Sequence, residues 1–402
     1  MNFVIVNRTN MRKKLVQFLE IILLGLSLSV RGSFAQSLDT LGVSRIATGV
    51  EHYLIRWQSV PLTVNLIKVN LDERGVSLRV VKASKNSREI LAAREKTSEM
   101  IKDADNDSTL AVAAINGGFF NMKSSRPINL DIENGMIVRL PGTKGRISSL
   151  LITSNNKAMI GRFELSVALA VSDTTFHIDD FNDVSGFDQT ILFDRFYGRE
   201  TATQFHGAGV VLTPISRSRI GDVLKCVVDT LIQSSRHFAI PPSGYVLVSR
   251  GHARVATLRR FSIHDTVQLL TQFKPEVDGV TQALGGLPMI VHDGKNVAEA
   301  EAAREKVNAA LADEHHPRTA IGISRDGKKV FLVVVDGRTK ASVGMTLSEL
   351  ADMMIKLDAY DAVNMDGGGS STMIIKGKIV NSPSDPAGER AVSNALVVTV
   401  RK

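Results

Sequence analysis

Cysteine occurs once in the 402 residues, as Cys226, so the chain has no internal disulfide to staple it. That residue lies in the apolar run Val223–Val228, which reads as a strand, and it is expected to be a buried core thiol. No basic run with interleaved aromatics is present, which argues against a nucleic-acid partner. No His or Cys set has zinc-site spacing, and no Gly-x-Ser-x-Gly elbow marks a serine hydrolase. Neither a metal nor a cofactor is expected. Fixed-period repeats, low-complexity tracts and an obvious flexible linker are also missing. With 44% hydrophobic and 22% charged residues, what remains is an ordinary globular composition. The length suits one large domain or two intimately packed ones.

The formal net charge of +8 is unevenly distributed. Residues 1–35 carry Arg8, Arg12, Lys13, Lys14 and Arg31 against Glu20, which is +4 and leaves 8 − 4 = +4 for the rest. Met11-Arg-Lys-Lys14 precedes an apolar stretch from Leu15 to Val30, and Ser33-Phe34-Ala35 offers small residues before Gln36. This predicts a secretory signal peptide over 1–35 and a secreted or periplasmic domain over 36–402. Glu20 and the short apolar core argue against a membrane anchor, so no integral membrane segment is expected after cleavage. No cysteine follows the apolar core, so lipid attachment is not indicated. The oligomeric state is not legible.

The chain is organised around Ala362–Ile375. An apolar run ends in Asp366; Gly367, Gly368 and Gly369 follow, then Ser370, Ser371 and Thr372, and then a second apolar run. Three glycines free the backbone to take positive φ and turn N–H groups towards a ligand, where a plain hairpin would need one or two. A second strand, Leu110–Ile115, ends in Asn116-Gly117-Gly118. Ser87–Lys102 and Ala298–Asp313 are expected to be helical, and a strand-rich region of short alternating runs fills about 136–284. Thr346-Leu-Ser-Glu349 is a capping box before a helical period. The expected fold class is α/β, in the sense of a mixed α+β fold. It has a mixed sheet, a C-terminal strand-helix-strand crossover and an inserted strand-rich region. The crossover would lay the strand ending at Asp336 parallel to the strand ending at Asp366, bringing two carboxylates 30 positions apart to one sheet edge. Arg338 stands beside the first and Arg318 opens the hairpin before it. Two arginines, two aspartates and a glycine loop suggest a phosphorylated ligand, although an internal Arg–Asp ion pair would use the same residues. His315 and His316 are adjacent and point apart, which favours a structural role.

At these residues the chain resembles the phosphodiester glycosidases. Ala114–Phe120, Pro317–Ile323, Val334–Arg338, Gly344–Leu350 and Asn364–Thr372 match in order and spacing, with weaker similarity from roughly Val50 to the end. One departure is Leu287, where the family often has glycine. The resemblance implies hydrolysis between an anomeric carbon and a phosphodiester oxygen. It makes Asp366 and Asp336 the catalytic candidates. Asn116, Gly117, Gly118, Arg318, Arg338, Gly367, Gly368, Gly369, Ser370, Ser371 and Glu389 become substrate-binding candidates. The partner would be a phosphorylated glycan or sugar phosphodiester. The alternatives are a non-catalytic glycan-phosphate binder of the cell envelope and a metal-assisted phosphodiesterase.

Overall fold

The computed structural model describes residues 39–402, except 58–59, 86–89, 142–146, 185, 187 and 217–219. The expected leader lies outside the described residues. Strand makes up 51% of the described residues and helix 12%. The ladders are antiparallel, save one short parallel pairing of Asp180–Phe181 with Thr190–Phe193. The α/β class expected from the sequence is therefore corrected to a mostly antiparallel β fold with a few flanking helices. The crossover is the reason the sequence misleads: its strands do not lie side by side.

Seven strands position the site: β1 (Leu62–Asn70), β2 (Thr109–Asn116), β3 (Arg318–Ile323), β4 (Lys329–Val335), β5 (Asp361–Asn364), β6 (Met373–Ile375) and β7 (Asn394–Arg401). Two helices cover them, α1 (Thr97–Asp103) and α2 (Leu347–Lys356). An eight-stranded sheet contains the run β1-β4-β3-β5, and a five-stranded sheet contains β6-β2-β7. Ile67, Ile321, Leu332 and Val334 from the first share one core with Val112, Ile115, Met373 and Leu396 from the second. Outside this sandwich, Met100 and Ile101 of α1 pack on Ala114, Ile374 and Val397. Across the first sheet, a Cβ on Gly322 would come within 2.5 Å of Met354 in α2. Strands buried on both faces explain why β3 and β4 read as continuous apolar runs. The capping box of α2 forms as its sequence indicates.

Two expected helices are shorter than their propensity suggests. Within 87–102 the described part is a turn at Ile90–Ala92, a short strand at Glu95–Lys96 and then α1, because Glu95 pairs with Val392. Ala298–Asp313 splits at Lys306, whose φ is 57°, and Asn308 caps the second piece by accepting from the Ala310 N–H.

The middle region forms a twelve-stranded sheet between Asp131 and Gly285. The strands at its two ends, Asp180–Phe181 and Met136–Arg139, are stitched together. Asn182 Nδ2 donates to the Val138 carbonyl at 3.2 Å, and Arg139 lies 3.8 Å from the Asp180 carboxylate. The sheet thus curls into a barrel around Leu151, Phe181, Leu192, Val210 and Leu247.

Candidate active site

Strands β4 and β5 both pair antiparallel with β3, which lies between them. They are therefore parallel, as the crossover requires, but two strand spacings apart, roughly 10 Å. Ala320 pairs with Asn364, so the neighbour of Asp366 at the sheet edge is Arg318 rather than Asp336.

A cavity of about 260 Å³ opens at this edge. Asp366, Gly367, Gly368, Gly369, Arg318, Arg338, Arg390 and His316 border it. Burial pushes the Asp366 carboxyl up to about 6, while the Ser370 hydroxyl, Arg390 and the Gly367 N–H hold it back from rising further. Three guanidinium groups face this single bordering carboxylate, and they are held in different ways. Arg318 is 1% exposed and donates to three main-chain carbonyls, those of Met345 (2.7 Å), Leu311 (2.8 Å) and Glu314 (2.9 Å). Burial lowers it to about 10, so it remains a cation at neutral pH. Arg338 is exposed, with a left-handed φ of 62°, and its Nη2 lies 3.3 Å from His316 Nδ1. Since His316 Nε2 lies 3.1 Å from the Ala310 carbonyl, that nitrogen carries the proton and Nδ1 is free to accept from Arg338. Arg390 is anchored by Asp385 at 2.7 Å.

The glycines serve close approach more than amide display. Gly368 has φ 61°, and its hypothetical Cβ would sit 3.2 Å from the Arg338 guanidinium; a Cβ on Gly369 would collide with that of Arg390. Most of the loop amides are already engaged. The Asp366 N–H donates to Gly117, that of Gly368 to Pro317, that of Ser370 to Gly367 and that of Ser371 to Gly368. The expected amide cradle is thus a bare ridge between two arginines.

The other candidates from the sequence lie behind this front and do not border the cavity. Asp336 is buried and accepts from the Ser382 N–H (2.9 Å) and Asn381 Nδ2 (3.2 Å), with burial still raising its pKa. Asn116 is fully buried, and its amide is consumed. Nδ2 donates to the Asp366 carbonyl at 2.6 Å, and Oδ1 accepts from Thr319 Oγ1 and the Thr372 N–H. Gly117 and Gly118 donate to the carbonyl and side-chain oxygens of Asn394. Ser371 Oγ lies 3.3 Å from Thr319 Oγ1, and Ser370 is packed beneath the loop. Glu389 accepts from the Ser98 N–H and hydroxyl in the first turn of α1, so it caps that helix. The sequence leaves both Glu389 and Arg390 able to reach the site from the Gly-Glu-Arg motif, and it is Arg390 that borders the cavity; His316, expected to be structural, borders it as well. Extended residues alternate sides, so Glu389 and Arg390 in the same motif cannot both face the cavity, and only the identity of the neighbouring wall shows which does.

The sequence model of the family described as phosphodiester glycosidase matches residues 227–399, the stretch that supplies the whole cavity wall. Residues 227–399 belong to the phosphodiester glycosidase family. An uncharacterized protein of Rickettsia conorii is 25% identical over 236 residues, covering 56% of this chain and 76% of the relative. The N-acetylglucosamine-1-phosphodiester alpha-N-acetylglucosaminidase of Bos taurus is 35% identical over 116 residues. The human enzyme of that name is 44% identical over 68 residues. The matches span only 21% and 13% of those two enzymes' lengths. Among solved structures, a hypothetical protein from Synechocystis superposes with a TM-score of 0.71 at 20% identity, covering 92% of this chain and 65% of its own. A protein from Burkholderia pseudomallei gives 0.64 at 22%, covering 86% and 74%. Both share the fold of this chain. Among its described residues no helix is long and apolar enough to cross a membrane.

Proposed function

We propose that the chain hydrolyses the glycosidic bond of a sugar 1-phosphodiester, releasing free sugar and a phosphomonoester. The observation that carries this is the set of three guanidinium groups around one bordering carboxylate, Asp366. A phosphomonoester leaves without strong acid assistance once its charge is neutralised, which is what Arg318, Arg338 and Arg390 are suited to do. The anomeric carbon then becomes cationic, and Asp366, ionised above a pKa of about 6, faces it as nucleophile or as base for water. On this reading Asp336 acts through position: it holds Asn381 and Ser382, and Asn381 accepts from the Met373 N–H behind the loop. A pure anion binder would gain nothing from a carboxylate among its cations, and a divalent ion would be repelled by three of them. The names of the animal relatives make an N-acetylglucosamine 1-phosphodiester the first substrate to try, and the predicted leader would place the reaction outside the cytoplasm.

Product analysis on a panel of glycosyl 1-phosphodiesters tests the proposal. Free sugar with phosphomonoester is expected. Sugar 1-phosphate with alcohol, or no turnover of any member, overturns it. The anomer formed first, followed by proton NMR, separates nucleophile from base.

A further inference from the structure

The barrel of the middle region has a cavity of its own, about 480 Å³, that shares no bordering residue with the one at Asp366. It opens where the sheet closes on itself, since Ile137 and Phe181 from the two end strands both line it. Barrel mouths are recurrent sites for small ligands. Tyr245 and Leu224 form part of the wall, packed on the barrel core, and the Tyr245 ring meets Phe181 edge-on with centroids 6.4 Å apart. The Tyr245 hydroxyl has no hydrogen-bond partner among the described residues. Asp194 also borders the cavity. One carboxylate oxygen accepts from Asn182 Nδ2 (2.8 Å) and the Phe196 N–H (2.9 Å), while Oδ2 is buried with no partner among the described residues. An ionised oxygen left without a donor is costly, so the site is built as though a donor arrives from outside.

We propose that this barrel mouth is a second ligand site, binding a neutral pyranose residue of a glycan separately from the cavity at Asp366. A pyranose has an apolar C–H face for Tyr245 and hydroxyl donors for Asp194 Oδ2. An acyl chain would fill the wall but leave Asp194 unsatisfied, and with Asp194 and Asp222 against one cation, Arg195, the lining carries a net negative charge that disfavours an acidic sugar.

The test uses the intact protein and three probes, the methyl β-glycosides of glucose, galactose and N-acetylglucosamine. Binding is read by isothermal titration. At least one is expected to bind with a Kd on the order of 1–10 mM. Leu224→Trp, a half-buried wall position, should fill the cavity and abolish that binding, and Asp194→Asn should weaken it about tenfold. Asp366→Asn should leave it unchanged. Because burial raises Asp194 to about 6, affinity should also fall as pH drops below that value. No binding of any probe at ~50 mM overturns the proposal. So does binding that survives Leu224→Trp, and so does binding lost in Asp366→Asn. None of these outcomes depends on hydrolysis, so the site stands or falls apart from the proposed activity.

Discussion

At Asp366 stability and chemistry pull in opposite directions. Its carboxyl rises from an ordinary 3.8 to about 6 because burial penalises the charge. A raised pKa means the fold favours the protonated form. The contribution is fully present below about pH 4 and is lost as pH climbs through 6. Asp366→Asn keeps the volume and removes the charge. It should therefore stabilise the protein by on the order of 1–2 kcal/mol at pH 8 and hardly at all at pH 4, read by calorimetry at both pH values. The same variant should lose at least about a hundredfold in kcat, since a positioned catalytic group is typically worth that much. Wild-type kcat/KM should rise with pH to a plateau above about 6. A folded variant with near-normal kcat would return Asp366 to the role of turn former. The arginines divide on similar grounds. Arg318→Lys replaces two donating nitrogens, Nε and Nη2, by one that cannot reach all three carbonyls, so it should lose at least about 2 kcal/mol of stability. Arg338→Lys, on an exposed side chain without an ion pair among the described residues, should leave the melting temperature unchanged. It should raise KM for the phosphodiester about tenfold, because a lysine cannot grip phosphate bidentately. If the two variants melt alike, the structural role of Arg318 is wrong.

The glycine loop shows how an element can be recognised for one reason and used for another. Its run of glycines after a carboxylate stands out in the sequence as a turn with a task. Which task depends on atoms far along the chain: the Arg338 and Arg390 guanidiniums rest against Gly368 and Gly369, and neither contact leaves a trace in local composition. Gly369 takes no left-handed φ, so alanine there meets no backbone penalty and its effect is purely steric. Gly369→Ala should push Arg390 off the loop and cost activity about as much as removing that arginine. A double variant with Arg390→Ala should add little to either single change, because both remove one interaction. Additive losses in kcat/KM would mean that the methyl blocks the substrate itself. The crossover was legible in the same partial way. The capping box and apolar period of α2 point to it, and the two strands do run parallel. The intervening β3 comes from hairpin pairing with β4, which sequence order alone does not place between them.

At the scale of the whole molecule, the strand-rich middle could be read from its alternating runs, and the Asp366 edge from its motifs. The overall class could not, because apolar runs look alike whether helices or a second sheet cover them. The same packing decides what a fragment can do. The family match begins at residue 227, yet both sheets draw strands from before it. In the first, β1 supplies the partner for every residue of β4 from Lys329 to Val335, and Val330, Leu332 and Val334 are fully buried partly through that neighbour. In the second, β2 lies between β6 and β7, so without it those two strands have no common ladder. A chain starting at residue 227 would present long apolar edges to water and lose the facing half of the shared core. Residues 227–402 expressed alone should therefore give no cooperative thermal transition by circular dichroism, should bind a hydrophobic dye and should aggregate. A cooperative transition with native-like strand content would show that the matched stretch folds as a unit and that the strands before it are dispensable.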